Sequence, residues 1–169
     1  MKKTRNRILT LLLAALVIGL TIWRLTPRSL ESLTGLDVDQ AISVSAYTHT
    51  WEYHNSESEP LHSVWVRYSL ENIPSDQEDF TPILSQFKAI NARPSLTNLL
   101  RPWLLSDFSW TGNIAFLNGF VLCGDTAADF TLTDRGELTV GNHLYFITDE
   151  AQFTALWEYV TTHGAEQKS

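Results

Sequence analysis

AISVSAYTHTWEYHNSESEPLHSVWVRYSL, residues 41–70, consists of two runs of β-branched and aromatic residues separated by a polar loop. Each run alternates with period two, which places every second side chain on one face of a pleated strand. Residues 41–54 and 61–70 are therefore predicted strands, and NSESEP is predicted to join them as a hairpin. The first strand changes parity: Ile42, Val44 and Ala46 are even-numbered, whereas Tyr47, His49, Trp51 and Tyr53 are odd. One flat strand cannot turn both sets inward, so a β-bulge or break is expected between Tyr47 and Thr50. Pairing His54 with Leu61 sets Trp51 opposite Val64 and Tyr53 opposite His62. In that register Trp51 joins Val64, Val66 and Tyr68 in the core, while Trp65 emerges on the other face beside Thr48, Thr50 and Arg67.

Downstream, Phe80, Ile83, Leu84, Phe87 and Ile90 recur at spacings of three and four, the signature of a helix with one apolar stripe. Asp79 is the expected N-cap, which puts Pro82 in the first turn, where its missing N–H has no intrahelical partner to lose. Arg93-Pro94 ends the helix, and residues 95–103 are expected to be a loop with a short helical turn near 97–101. Beyond it, Asn118-Gly119, Asp134-Arg135-Gly136 and Gly141-Asn142 read as turns between strands at about 109–117, 120–124, 128–133, 137–140 and 143–148. Asp149 with Gln152 resembles a capping box, and Phe153, Leu156, Trp157 and Val160 repeat at helical spacing before Gly164.

Hairpin, helix, meander and helix in that order predict an α+β fold. The expected form is a two-layer sandwich, an antiparallel sheet with two helices on one face. In topology it looks like the β-α-β4-α arrangement of TATA-binding-protein-like domains with one strand added, a likeness of shape alone.

Upstream, residues 8–23, ILTLLLAALVIGLTIW, are 16 residues without a charge. Ile8, Leu11, Leu12, Leu13, Leu16, Val17, Ile18, Leu20, Ile22 and Trp23 cover every face of such a helix, which only lipid accepts without a partner. Its length of about 24 Å falls short of a ~30 Å hydrocarbon core. Leu25 and the stems of Arg7 and Arg24 lengthen the effective span, and Trp23 suits the interfacial belt. A secretory signal of this length needs small residues at its exit, and Leu20 to Leu25 is bulky. An uncleaved signal anchor is thus expected, with secretion after cleavage as the alternative. Lys2, Lys3, Arg5 and Arg7 before the span against Arg24 and Arg28 after it predict a cytoplasmic N-terminus. The organisation expected is a cytoplasmic stub at 1–7, a transmembrane anchor at 8–25, a linker at 26–38, an extracytoplasmic domain at 39–164 and a tail at 165–169.

All 19 acidic residues lie from Glu31 onward against six of the 12 Lys/Arg, a formal balance of −13. Such a field repels phosphate backbones and anionic headgroups, so nucleic-acid binding and a basic membrane-surface role are both disfavoured. Cys123 is the one cysteine, so no intramolecular disulfide supports the fold.

Chemistry is sparse. His49, His54, His62 and Glu52 are the one cluster with metal-ligand residue types, and their spacing matches no zinc signature. Asp125, Asp129, Asp134 and Glu137 lack the spacing of a calcium loop and read as turn residues. Cys123 paired with His143 can be imagined as a nucleophile, but Cys123 looks far more like a small core residue at a strand end. With no catalytic signature, no cofactor and no metal are expected. An enzyme with a site assembled from distant residues is the last of three alternatives. Exposed aromatic rings stack on sugars and on peptides, so Trp65, Arg67, Trp103 and Trp110 are the candidate ligand-binding residues.

The anchor, the hairpin, EDFTPILSQFKAI and TLTDRGELTVGNHLYFITDEAQFTALWEYV resemble small single-pass envelope proteins of Gram-positive bacteria. The resemblance implies placement in the envelope and carries no functional residues. The leading expectation is a non-enzymatic extracytoplasmic module that binds another envelope protein, with a cell-wall glycan as the alternative partner.

Overall fold

The computed structural model describes residues 2–56, 59–95 and 114–168. Helix α1 runs over Lys2–Leu25, 24 residues and so about 36 Å. Its stretch Arg7–Arg24 is long and apolar enough to cross a membrane, and none of it is buried against the rest of the chain.

The strands are β1 (Arg28–Ser29), β2 (Ser43–Ser56), β3 (Glu59–Pro74), β4 (Asn91–Pro94), β5 (Ile114–Cys123), β6 (Thr126–Thr133), β7 (Glu137–Val140), β8 (His143–Ile147) and β9 (Ala165–Lys168). Between them lie helices α2 (Leu30–Thr34), α3 (Phe80–Ala89) and α4 (Ala151–His163), with a 3₁₀ turn at Val38–Gln40. Among the described residues the nine strands form one antiparallel sheet in the order β1-β4-β8-β7-β6-β5-β2-β3-β9. The fold is α+β, as the element order predicts. Phe80, Ile83 and Phe87 of α3 and Leu156 and Val160 of α4 join one core with Val44, Ala46, Leu117, Phe130, Leu132 and Leu138 of the sheet. Phe87 meets Phe130 edge-on at 4.9 Å between ring centroids.

The predicted linker is folded. Arg28 and Ser29 pair with Ala92 and Asn91 of β4. The Ser29 hydroxyl caps α2 by accepting from Ser32 N–H, and Leu30 is 1% exposed in the core. The polar surroundings TPRSLESLTG hide that one buried leucine from a composition argument. The predicted tail is strand as well, because Ala165–Lys168 pairs with residues 66–69 of β3.

The hairpin register is one residue away from the expected one: His54 faces His62, and Trp51 faces Trp65 rather than Val64. Pairing of β2 is continuous from Ala46 to His54, so no bulge interrupts it at Tyr47–Thr50. The irregularity lies earlier, between Val44 and Ala46, where Val44 pairs with Ile73 and Ala46 with Leu70. The extra residue falls on β3, where Asn72 has φ 49° and its N–H donates to the Ser45 hydroxyl at 2.9 Å. Alternation after that point is simple: Ala46 and Thr48 are buried in the core layer, and Tyr47 and His49 are half-buried on the opposite side.

Asn118-Gly119 is not a turn, since β5 runs through it. A Cβ on Gly119 would lie 2.1 Å from Cζ of Phe130, so the glycine is there to admit a ring. The chain reverses instead at Gly124-Asp125, with Gly124 at φ 56°. The turns at 134–136 and 141–142 stand where they were predicted.

Both predicted helices form, with different caps. Asp79 stands at the N-cap of α3 but makes no capping bond, because its Oδ1 accepts from the Tyr159 hydroxyl at 2.6 Å. Asp149 Oδ1 accepts from Ala151 N–H at 2.9 Å, whereas Gln152 leaves the predicted box and its Oε1 accepts from Asn91 N–H of β4.

Candidate contact face

Strand pairing fixes which side chains share the sheet face opposite the core. Tyr47 and His49 on β2 face Ser69 and Arg67 on β3 and, on the other side, Asn118 and Phe116 on β5. The same row continues through Thr133 on β6 to Glu137 on β7, Phe146 on β8 and Arg93 on β4. In the other direction it ends at Gln167 on β9.

The aromatic part of this row is a stack. The His49 ring lies parallel to Phe116 at 4.7 Å and 13°, and Trp65 is tilted by 32° at 6.4 Å from His49. Beside them the Arg67 guanidinium sits 4.4 Å from the Tyr47 ring centroid and pairs with Glu71 at 3.2 Å. One donor is left over: Arg67 Nε is buried without a hydrogen-bond partner. Burial, and then the positive charge of Arg67, hold the His49 imidazole below its ordinary value, so the ring is neutral and stacks at neutral pH. Next to this cluster the Thr131 hydroxyl donates to Asn118 Oδ1 at 2.8 Å.

Of the predicted ligand-binding residues, Trp65 and Arg67 therefore meet in one cluster, both half-buried. Trp103 and Trp110 lie outside the described residues. His49, Tyr47 and Phe116 were missed as partners of that cluster. The signal for the first two is their shared odd parity, which places Tyr47 and His49 together on the face opposite Ala46 and Thr48. Phe116 needed the β2–β5 pairing, which no local pattern carries.

The other candidate chemistries do not assemble. Cys123 Sγ donates to Asp37 O at 3.5 Å, and burial together with the Asp37 charge pushes the thiol up, away from the reactive thiolate. His143 pairs with Val140 on β8–β7, whereas Cys123 pairs with Thr126 on β5–β6, so the two belong to different strand pairs. Asp125 and Asp134 sit exposed in turns, and Asp129 is exposed on β6. Among the described residues no group of three His, Cys, Asp or Glu side chains stands close enough to hold a metal ion.

What the arrangement offers is a rigid surface of Trp, Tyr, Phe, His and Arg side chains bordered by Asn and Thr. Trp, Tyr and Arg are the residue types that dominate binding energy at protein interfaces. Searches of protein-family models, curated proteins and solved structures return no match to this chain.

Proposed function

We propose that this chain is a membrane-tethered, non-enzymatic module of a bacterial envelope that binds another envelope protein through the face carrying Trp65, Arg67, Tyr47, His49 and Phe116. In this reading α1 is an uncleaved signal anchor with its N-terminus in the cytoplasm, in keeping with four Lys/Arg before the span and two after it. Helices α3 and α4 cover one face of the sheet and leave the other to the partner. The observation that carries the reading is the His49–Phe116–Trp65 stack with Arg67 over Tyr47, on the side of the sheet away from the core. Such a surface combines large rigid rings with one cation and little side-chain entropy to lose, which suits contact better than catalysis.

The test is mild-detergent purification of the full-length, C-terminally tagged protein from native membranes, with composition and intact mass read together. A stoichiometric protein should accompany the wild type and be lost from Trp65→Ala and Arg67→Ala at unchanged melting temperature. Recovery of the protein with wall fragments, again lost from Trp65→Ala, would replace the protein partner by a glycan. A partner retained by both variants would remove this face from the interaction.

A further inference from the structure

Two residues, Thr26 and Pro27, separate the end of α1 at Leu25 from the start of β1 at Arg28. Neither behaves as free chain. Thr26 N–H and hydroxyl both donate to Ile22 O, at 3.0 and 2.8 Å, and the Pro27 ring fixes its own φ. The junction is held twice more: the Arg24 guanidinium donates to Pro94 O at the end of β4, and the Arg28 guanidinium lies 5.3 Å from the Trp23 ring centroid. From Leu25 to Arg28 the chain takes three Cα steps and reaches at most about 11 Å. The sheet edge formed by β1 and β4 therefore cannot leave the surface into which α1 inserts.

The side chains at that edge differ from the rest of the domain. Arg24, Arg28 and Arg93 all belong to that edge, Arg28 on the face of its core partner Ala92 and Arg93 on the opposite face, in a chain whose balance from Glu31 onward is −13. Acidic neighbours include Glu31 at the start of α2, Glu137, which faces Phe146 from β7, and Asp149 and Glu150, which follow β8 where Thr148 N–H donates to Asn91 O of β4. Arg93 is exposed, and its partner on β8 is Phe146, which is 37% exposed. Outside α1, Ile42 and Phe146 are the exposed large apolar side chains among the residues whose side chains are described. An aromatic ring beside arginines is the composition that the headgroup layer accepts.

We propose that the β1–β4–β8 edge lies against the headgroup layer of the membrane that α1 crosses, with Arg28 and Arg93 at lipid phosphates and Phe146 in the interfacial zone. The proposal rests on α1 being membrane-inserted. It orients the domain: β3 is six strands from β4, about 29 Å along the sheet at ~4.8 Å per strand. The Trp65 and Arg67 cluster is then held out from the bilayer for its partner.

The test uses the full chain with Cys123→Ser, reconstituted in phosphatidylcholine vesicles containing a minority of phosphatidylglycerol. Phe146→Cys is compared with Gln167→Cys at the far edge, each labelled from outside with a membrane-impermeant fluorophore and exposed to a headgroup spin-label quencher. Quenching at position 146 should exceed that at 167 by about threefold or more, and Arg93→Glu should reduce the difference. Equal quenching at the two positions, in protein that resists carbonate extraction, overturns this orientation and leaves the anchor intact. Protein released by carbonate overturns both.

Discussion

Gly119 has no room for a side chain, since a Cβ there would lie 2.1 Å from Cζ of Phe130. After asparagine it carries the composition of a hairpin turn, yet it lies mid-strand beneath the Phe130 ring, which in turn packs on Phe87. Gly119→Ala should destabilise the domain by about 2–3 kcal/mol, because the new methyl and the ring compete for one volume. Adding Phe130→Leu should recover part of that loss, which denaturant melts of the single and double variants would show. A second residue-scale prediction concerns Tyr159. Burial, the hydrogen bond to Asp79 and the charges of Asp79 and Glu78 push its hydroxyl from 10.0 up to about 12. The folded state thus favours the protonated phenol; the stabilisation is complete below pH 10 and is lost as pH rises toward 12. Tyr159→Phe should lower stability at pH 7 by about 1–3 kcal/mol and flatten this alkaline decline relative to wild type, measurable as urea midpoints against pH. Asp79 was legible as a helix start; that its carboxylate serves α4 instead of its own helix was not, since the two residues are far apart in sequence.

At the scale of elements, periodic segments declared themselves and short ones did not. Helix α3, the hairpin and strands β6 to β8 follow from apolar spacing and turn residues, because each has enough repeats to establish a period. Elements β1, α2 and β9 have two, five and four residues. No period can be read from so few positions, and tertiary pairing alone creates them. The segment between anchor and domain is accordingly structural. A chain trimmed to begin at Thr26 should keep the domain's melting transition, whereas one trimmed to begin at Leu36 should lose several degrees or fail to fold. The separate contribution of the core leucine is readable from Leu30→Ala, expected to cost about 2–4 kcal/mol. Equal melting of the two trimmed chains would restore the reading of residues 26–35 as a dispensable tether. The contact face illustrates the same limit: Trp65 and Arg67 were found by parity within one strand, but Phe116 joins them only through the pairing of β2 with β5.

For the whole molecule, α1 joins the sheet closely, with two residues between Leu25 and Arg28. The Arg24–Pro94 and Trp23–Arg28 contacts tie the end of α1 to β1 and β4, and on the proposal that α1 crosses a membrane they transmit the position of the bilayer to β4. From β4 the sheet carries that position across to β3. On that proposal the junction couples two properties that a flexible linker would leave independent, the height of the candidate contact face above the membrane and its orientation. Inserting a flexible Gly/Ser segment of about eight residues between Leu25 and Thr26 tests the idea without touching either half. The domain's own stability should change by less than about 0.5 kcal/mol, since the insertion lies outside the core. Headgroup quenching at position 146 should fall to the level of position 167. Recovery of a bound partner should also fall if that partner is itself membrane-embedded, because its cognate surface is met at a fixed height, and should persist if the partner is soluble. The insertion thus distinguishes the two kinds of partner within one preparation, because in the proposed orientation the distance of the contact face from the bilayer is set through β4.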